Sequence, residues 1–98
     1  MRMLLQISMP VEKGNEAITS GALEQAVQSL MGEFKPEAAY FYPDADGNRA
    51  SFFVFDMEGS WQLPTILEPM FQKLDASVHI TPVMNGDDLE RGLKEAAG

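Results

Sequence analysis

The chain has 98 residues, with 15 acidic and 7 basic side chains, a net charge of −8 and a hydrophobic fraction of 45%. This length allows one small domain, residues 1–98, and the apolar fraction is that of a globular chain, not a disordered one. Arg2, Lys13, Lys35, Arg49, Lys73, Arg91 and Lys94 are scattered and form no stripe, which excludes nucleic acid as the main partner and disfavours an anionic membrane surface.

There is no cysteine, so disulfides, zinc-thiolate sites and a cysteine nucleophile are excluded, and a reducing, cytoplasmic setting is expected. Met3, Leu5, Ile7 and Met9 alternate with Leu4, Gln6 and Ser8, the period of a first strand. Gln6 and Ser8 interrupt the apolar run and Pro10 follows, so a strand is expected here and not a leader peptide. Val11 to Gly14 read as a loop, with Asn15 able to cap the helix that follows. Ile18, Leu23, Ala26, Val27, Leu30, Met31 and Phe34 recur at three- and four-residue steps. Thr19-Ser20-Gly21 weakens that helix, which predicts a short opening turn, a bend at Gly21 and a main helix from Ala22 to about Phe34. Pro36 stops it.

Ala38 to Tyr42 form the second strand. Pro43-Asp44-Ala45-Asp46-Gly47-Asn48 is turn chemistry, with a glycine to accept positive φ, and predicts a hairpin. A calcium loop is the weaker reading, because the late glutamate it needs is replaced by Phe55 and Asp56. Ala50 to Met57 are the third strand. Its unbroken run Phe52-Phe53-Val54-Phe55 predicts a central strand covered on both sides. A second helix opens at Glu58-Gly59-Ser60 and runs through Leu63, Ile66, Leu67, Met70, Phe71 and Leu74, with Pro69 expected inside it and bending it. Ser77 to Val83 are the fourth strand, and Asn85-Gly86-Asp87-Asp88 caps a short C-terminal helix containing Leu89 and Leu93.

The order βαββαβ is that of a ferredoxin-like α+β domain: a four-stranded antiparallel sheet, order 4-1-3-2, with both helices on one face. Within that order, Lys35-Pro36-Glu37-Ala38-Ala39-Tyr40-Phe41, Phe55-Asp56-Met57, Glu68-Pro69 and Pro82-Val83-Met84 resemble short uncharacterised bacterial proteins of the dimeric α+β barrel superfamily. That ferredoxin-like group includes muconolactone isomerases and small cofactor-free monooxygenases. The resemblance spans nearly the whole chain and implies two sheets packed face to face, often around a pocket. It implies no assigned activity, and no catalytic role is carried over from it.

Independently of the resemblance, Phe53 and Phe55 cannot face the same side as Phe52 and Val54, so an apolar sheet face is left for a second copy to cover. A homodimer through the helix-free face is therefore expected, with any pocket between the sheets. His79, the sole histidine, falls on that face with Ser77 and Thr81 and is a tentative general base; an ordinary rim histidine is the plainer reading. Tyr40 and Tyr42 share a strand face and, with Gln6 and Ser8, are tentative ligand-binding residues; a barrel filled by its own side chains is the alternative. Asp56 is a tentative acid or a strand-end residue bonded to the Gly59-Ser60 backbone, and Trp61 a tentative pocket wall or a staple at the start of the second helix.

No Gly-x-Ser-x-Gly, Gly-x-Gly-x-x-Gly or P-loop pattern occurs, and one histidine without a partner makes a metal site unpromising. No cofactor and no metal are expected. Three functions stay open: a dimeric module binding a small apolar or aromatic molecule, or an interaction module; a cofactor-free isomerase or monooxygenase with His79 in proton transfer; and a structural assembly protein with a filled barrel.

Overall fold

Alternation in the first segment produces a strand with one buried edge of side chains. β1, Arg2–Met9, buries Met3, Leu5, Ile7 and Met9 and leaves Leu4, Gln6 and Ser8 on the other side. The computed structural model describes residues 1–98 and follows β1 with α1 (Val11–Ser20), α2 (Ala22–Phe34), β2 (Ala38–Pro43) and β3 (Arg49–Asp56). A 3₁₀ turn at Ser60–Gln62 leads into α3 (Leu63–Leu74), and β4 (Ser77–Pro82) and α4 (Gly86–Ala97) complete the chain.

The four strands pair antiparallel in the order β2-β3-β1-β4, the arrangement expected from the sequence with β1 and β3 central. This is a ferredoxin-like α+β fold. The core lies between one sheet face and the helices: Met3, Leu5, Ile7, Phe53 and Phe55 pack with Ala17, Ala26, Leu30, Ile66, Met70 and Leu74. Phe34 of α2 meets Phe55 edge to face, with ring centroids 5.4 Å apart.

Three expectations are corrected. Val11–Gly14 is not a loop but the first turn of α1, closed by Gly14 N–H donating to the Pro10 carbonyl at 2.8 Å. Pro10, with φ −57°, already has a helical φ and needs no donor there, so the helix starts at once. Asn15 consequently lies inside α1 and caps nothing; its side chain accepts from Arg49 Nη2 at 2.8 Å. Ile18 leaves the expected buried face and is 49% exposed, because the earlier start sets Gly14 and Ala17 toward the core. On β3, Phe53 and Phe55 face the helices, while Phe52 and Val54 on the helix-free face are half-buried within the one chain.

The break at Gly21 occurs as expected. Gly21 has φ +84°, ending α1 and starting α2. α3 runs on through Pro69 to Leu74, because burial of Ile66, Met70 and Leu74 on one face offsets the lost backbone bond.

Lys35 closes α2 at φ +46°, a left-handed conformation that costs a side-chain-bearing residue about 1–2 kcal/mol. Lys35→Gly is therefore expected to stabilise the fold by about 0.5–1 kcal/mol once the greater freedom of glycine in the unfolded chain is subtracted. A urea titration showing an unchanged or lower midpoint would refute this.

α4 is longer than expected and set apart. Asn85 Oδ1 accepts from the Asp88 amide at 2.8 Å and Asp88 Oδ2 accepts from the Asn85 amide at 3.2 Å, a reciprocal cap. No residue of α4 is buried, and the molecule measures 54 × 29 × 18 Å. No helix is long and apolar enough to cross a membrane.

Candidate functional site

Strand register decides which side chains meet. On the helix-free face, one row across the sheet reads Tyr40, Phe52, Gln6, His79. The next reads Tyr42, Ala50, Ser8, Ser77, and a third reads Ala38, Val54, Leu4, Thr81. Tyr40, Tyr42, Gln6, Ser8 and His79 thus share one face and two adjacent rows. Directly opposed side chains in an antiparallel pair lie about 4.5–5.5 Å apart at Cβ, so these rows are contiguous surfaces.

Phe52 sits between the two tyrosines, with ring centroids 5.3 Å from Tyr40 and 6.0 Å from Tyr42. Tyr40 is 61% exposed, so the cluster is an aromatic platform open to one side. Beside it lies a shallow depression of about 290 Å³ lined by Gln6, Ser8, Tyr42, Asp44, Ser77 and His79, among others.

Asp44 is the residue that sequence reasoning missed at this site. It opens the β2–β3 hairpin, where its Oδ1 accepts from the amides of Asp46 and Asn48, both at 3.0 Å. These bonds are ordinary hairpin-turn chemistry, and they leave Oδ2 free to accept from Ser8 Oγ at 2.7 Å. The carboxyl is held below its ordinary value, first by the Ser8 hydroxyl and then by the Asn48 and Asp46 amides, against an opposing effect of burial. The turn motif was visible in the sequence; its contact with a strand 36 residues earlier was not.

The sign of that shift gives a test. A carboxyl with a lowered folded value contributes stability that is complete above its unfolded value near 3.8 and is lost as pH falls through the lower folded one. Asp44→Asn is expected to lower the urea midpoint at pH 6, and the gap to the parent should close as pH drops below 4. A gap independent of pH would show that the carboxylate charge is not what the hydroxyl and amides hold.

Asp56 and Trp61 do not line the depression. Asp56 is exposed at the end of β3 and accepts from the Met1 amino group at 2.7 Å, not from the Gly59-Ser60 backbone. Trp61 lies in the 3₁₀ turn before α3, 71% exposed, with its ring against Gly59.

A second hollow, unforeseen in the sequence, lies on the helix side of edge strand β2. It measures about 430 Å³ and is lined by Met9, Val11, Leu23, Phe41, Arg49 and Ser51, among others. Phe41 packs edge to face on Phe53 at 5.8 Å yet stays 60% exposed, because no helix reaches over the sheet edge to cover it. A third, of similar volume, separates α2 from α3 and is lined largely by polar side chains including Gln25, Ser29, Glu33, Thr65 and Lys73. No three His, Asp or Glu side chains converge as a metal site requires.

No protein-family model matches the chain, and no curated protein sequence matches it. Among solved structures, the chain is similar to the uncharacterized protein TM1266 from Thermotoga maritima, with a TM-score of 0.57 at 17% identity, over 85% of this chain and 96% of that one. It is also similar to part of a formyltetrahydrofolate deformylase from Pseudomonas putida, with a TM-score of 0.56 at 11% identity, over 85% of this chain and 29% of the enzyme. The chain thus spans under a third of that enzyme's length. At these identities the likeness is one of fold.

Proposed function

We propose that two copies of the chain pack through the helix-free faces of their sheets as a dimeric α+β barrel and hold a small apolar or aromatic molecule between them. The observation that carries this reading is the platform of Phe52 flanked by Tyr40 and Tyr42, an aromatic surface beside a polar depression on a face that no helix covers. Aromatic walls with a few placed polar groups are what a small-molecule site needs. Gln6, Ser8, Ser77 and His79 supply those groups, and Asp44 fixes Ser8 among them. Asp56 and Trp61 lie outside this depression.

A second reading has one observation in its favour. His79 shares the depression with Asp44, two serines and Tyr42, so a cofactor-free isomerase or oxygenase would find its proton-transfer group there. A filled barrel serving only assembly is the third.

Sedimentation equilibrium at micromolar concentration tests the dimer, and an NMR titration with indole tests the pocket. The expected results are twice the chain mass and shifts confined to Tyr40, Tyr42, Phe52 and His79. A monomeric mass removes the barrel; a dimer whose ring signals ignore indole leaves the filled barrel.

A further inference from the structure

α4 presents an apolar face of which no residue is buried. At 100° per residue, Leu89, Gly92, Leu93, Ala96 and Ala97 fall on one side, and Asp87, Asp88, Glu90, Arg91, Lys94 and Glu95 on the other. Leu89 is 46% exposed, Leu93 61% and the preceding Met84 64%. A solitary 12-residue helix is marginal in water, and Gly92 in its interior weakens it further. So clean a division of faces needs a surface to bury its stripe.

We infer that α4 is an arm that packs its Leu89–Leu93 stripe against a second copy of this chain. The inference rests on the face-to-face dimer proposed above and names an element that completes it. The first argument is where the arm is rooted. Arg2 is on the helix-free side of β1, and its guanidinium joins Glu37 and, at 3.0 Å, Asp88 in the first turn of α4. The helix therefore leaves from the side of the sheet on which the partner sits.

The second argument is area. Four strands about 4.8 Å apart and about 20 Å long make a face of roughly 400 Å² in projection. A stable interface takes about 800 Å² from each partner. Side-chain relief makes the accessible area of such a face larger than its projection, and an arm from each copy adds to it further.

The third is charge. The stripe is flanked by four acidic and two basic side chains, Asp87, Asp88, Glu90 and Glu95 against Arg91 and Lys94. An amphipathic helix that lies on anionic lipid carries the opposite balance.

The test uses the full chain with Leu89→Glu and Leu93→Glu together, and Asp87→Ala with Glu90→Ala as a control on the charged face. Because α4 is outside the core, each variant should keep the parent's circular dichroism below α4's own share. The expected result in sedimentation equilibrium is a dimer dissociation constant raised about a hundredfold by the leucine pair and unchanged by the control. A full chain already monomeric removes the dimer on which the inference rests. A dimeric full chain whose leucine variant dimerises equally well overturns the arm alone. In that case a lowered urea midpoint would assign the stripe to its own chain, and lost flotation with phosphatidylcholine–phosphatidylglycerol vesicles would assign it to lipid.

Discussion

Phe53→Ala is expected to remove about 3–5 kcal/mol of stability, the range for emptying a well-packed aromatic site. Phe53 is 1% exposed on central strand β3, with Leu5 of β1 on one flank and Ala39 of β2 on the other in strand register. It also supports Phe41 across an edge-to-face contact of 5.8 Å. Neighbours fixed in a hydrogen-bonded sheet cannot collapse into the space, so most of the cavity should remain. Domains of this size hold about 5–15 kcal/mol in total, so the variant should sit near its unfolding threshold at 37 °C. Urea titration at constant slope reads the loss directly. A decrease below about 1 kcal/mol would mean that the helices close over the vacancy.

Phe52→Lys, one residue away, is expected to keep the fold intact and to dissolve the proposed dimer. Phe52 is the centre of the aromatic platform and faces away from the helices. In the proposed interface a charge there would be desolvated without an ion-pair partner from its own sheet, where its neighbours are the uncharged Gln6, Tyr40 and Tyr42. An anchor of this kind contributes about 2–4 kcal/mol, which corresponds to roughly a thirtyfold to thousandfold weaker dimer. Sedimentation equilibrium should then give the mass of one chain, with the circular dichroism of the parent. An unchanged dimer would move the interface elsewhere on the molecule.

The contrast between these neighbours was legible in the sequence, because a strand of period two must send Phe52 and Phe53 to opposite sides. The same rule placed Tyr40 with Tyr42 and Gln6 with Ser8 on the right faces. Joining those pairs across strands required a register, which alternation alone leaves open by any even number of residues. The Ser8–Asp44 bond was hidden for a different reason. Asp44 has a sufficient local role in its turn, and nothing local hints that its second oxygen reaches β1. Val11–Gly14 misled because Lys13 and Gly14 look like a loop, while Pro10 directly before them favours a helix. Exposure of α4 was illegible, since Leu89 and Leu93 have the same spacing whether they meet the core or an outside surface.

The strand order has a consequence in time. β1 is the first strand to be synthesised in this domain and the last to be completed, because Met3 pairs with Phe55 and Leu5 with Ile80. At roughly 5–20 residues per second, translation leaves an interval on the order of ten seconds between the two. During it, Met3-Leu4-Leu5-Gln6-Ile7 is a hydrophobic segment with both backbone edges open until β3 emerges and one edge open until β4 does. The nascent chain is most prone to wrong pairing in this interval, and folding afterwards is slowed by closing its longest loop last.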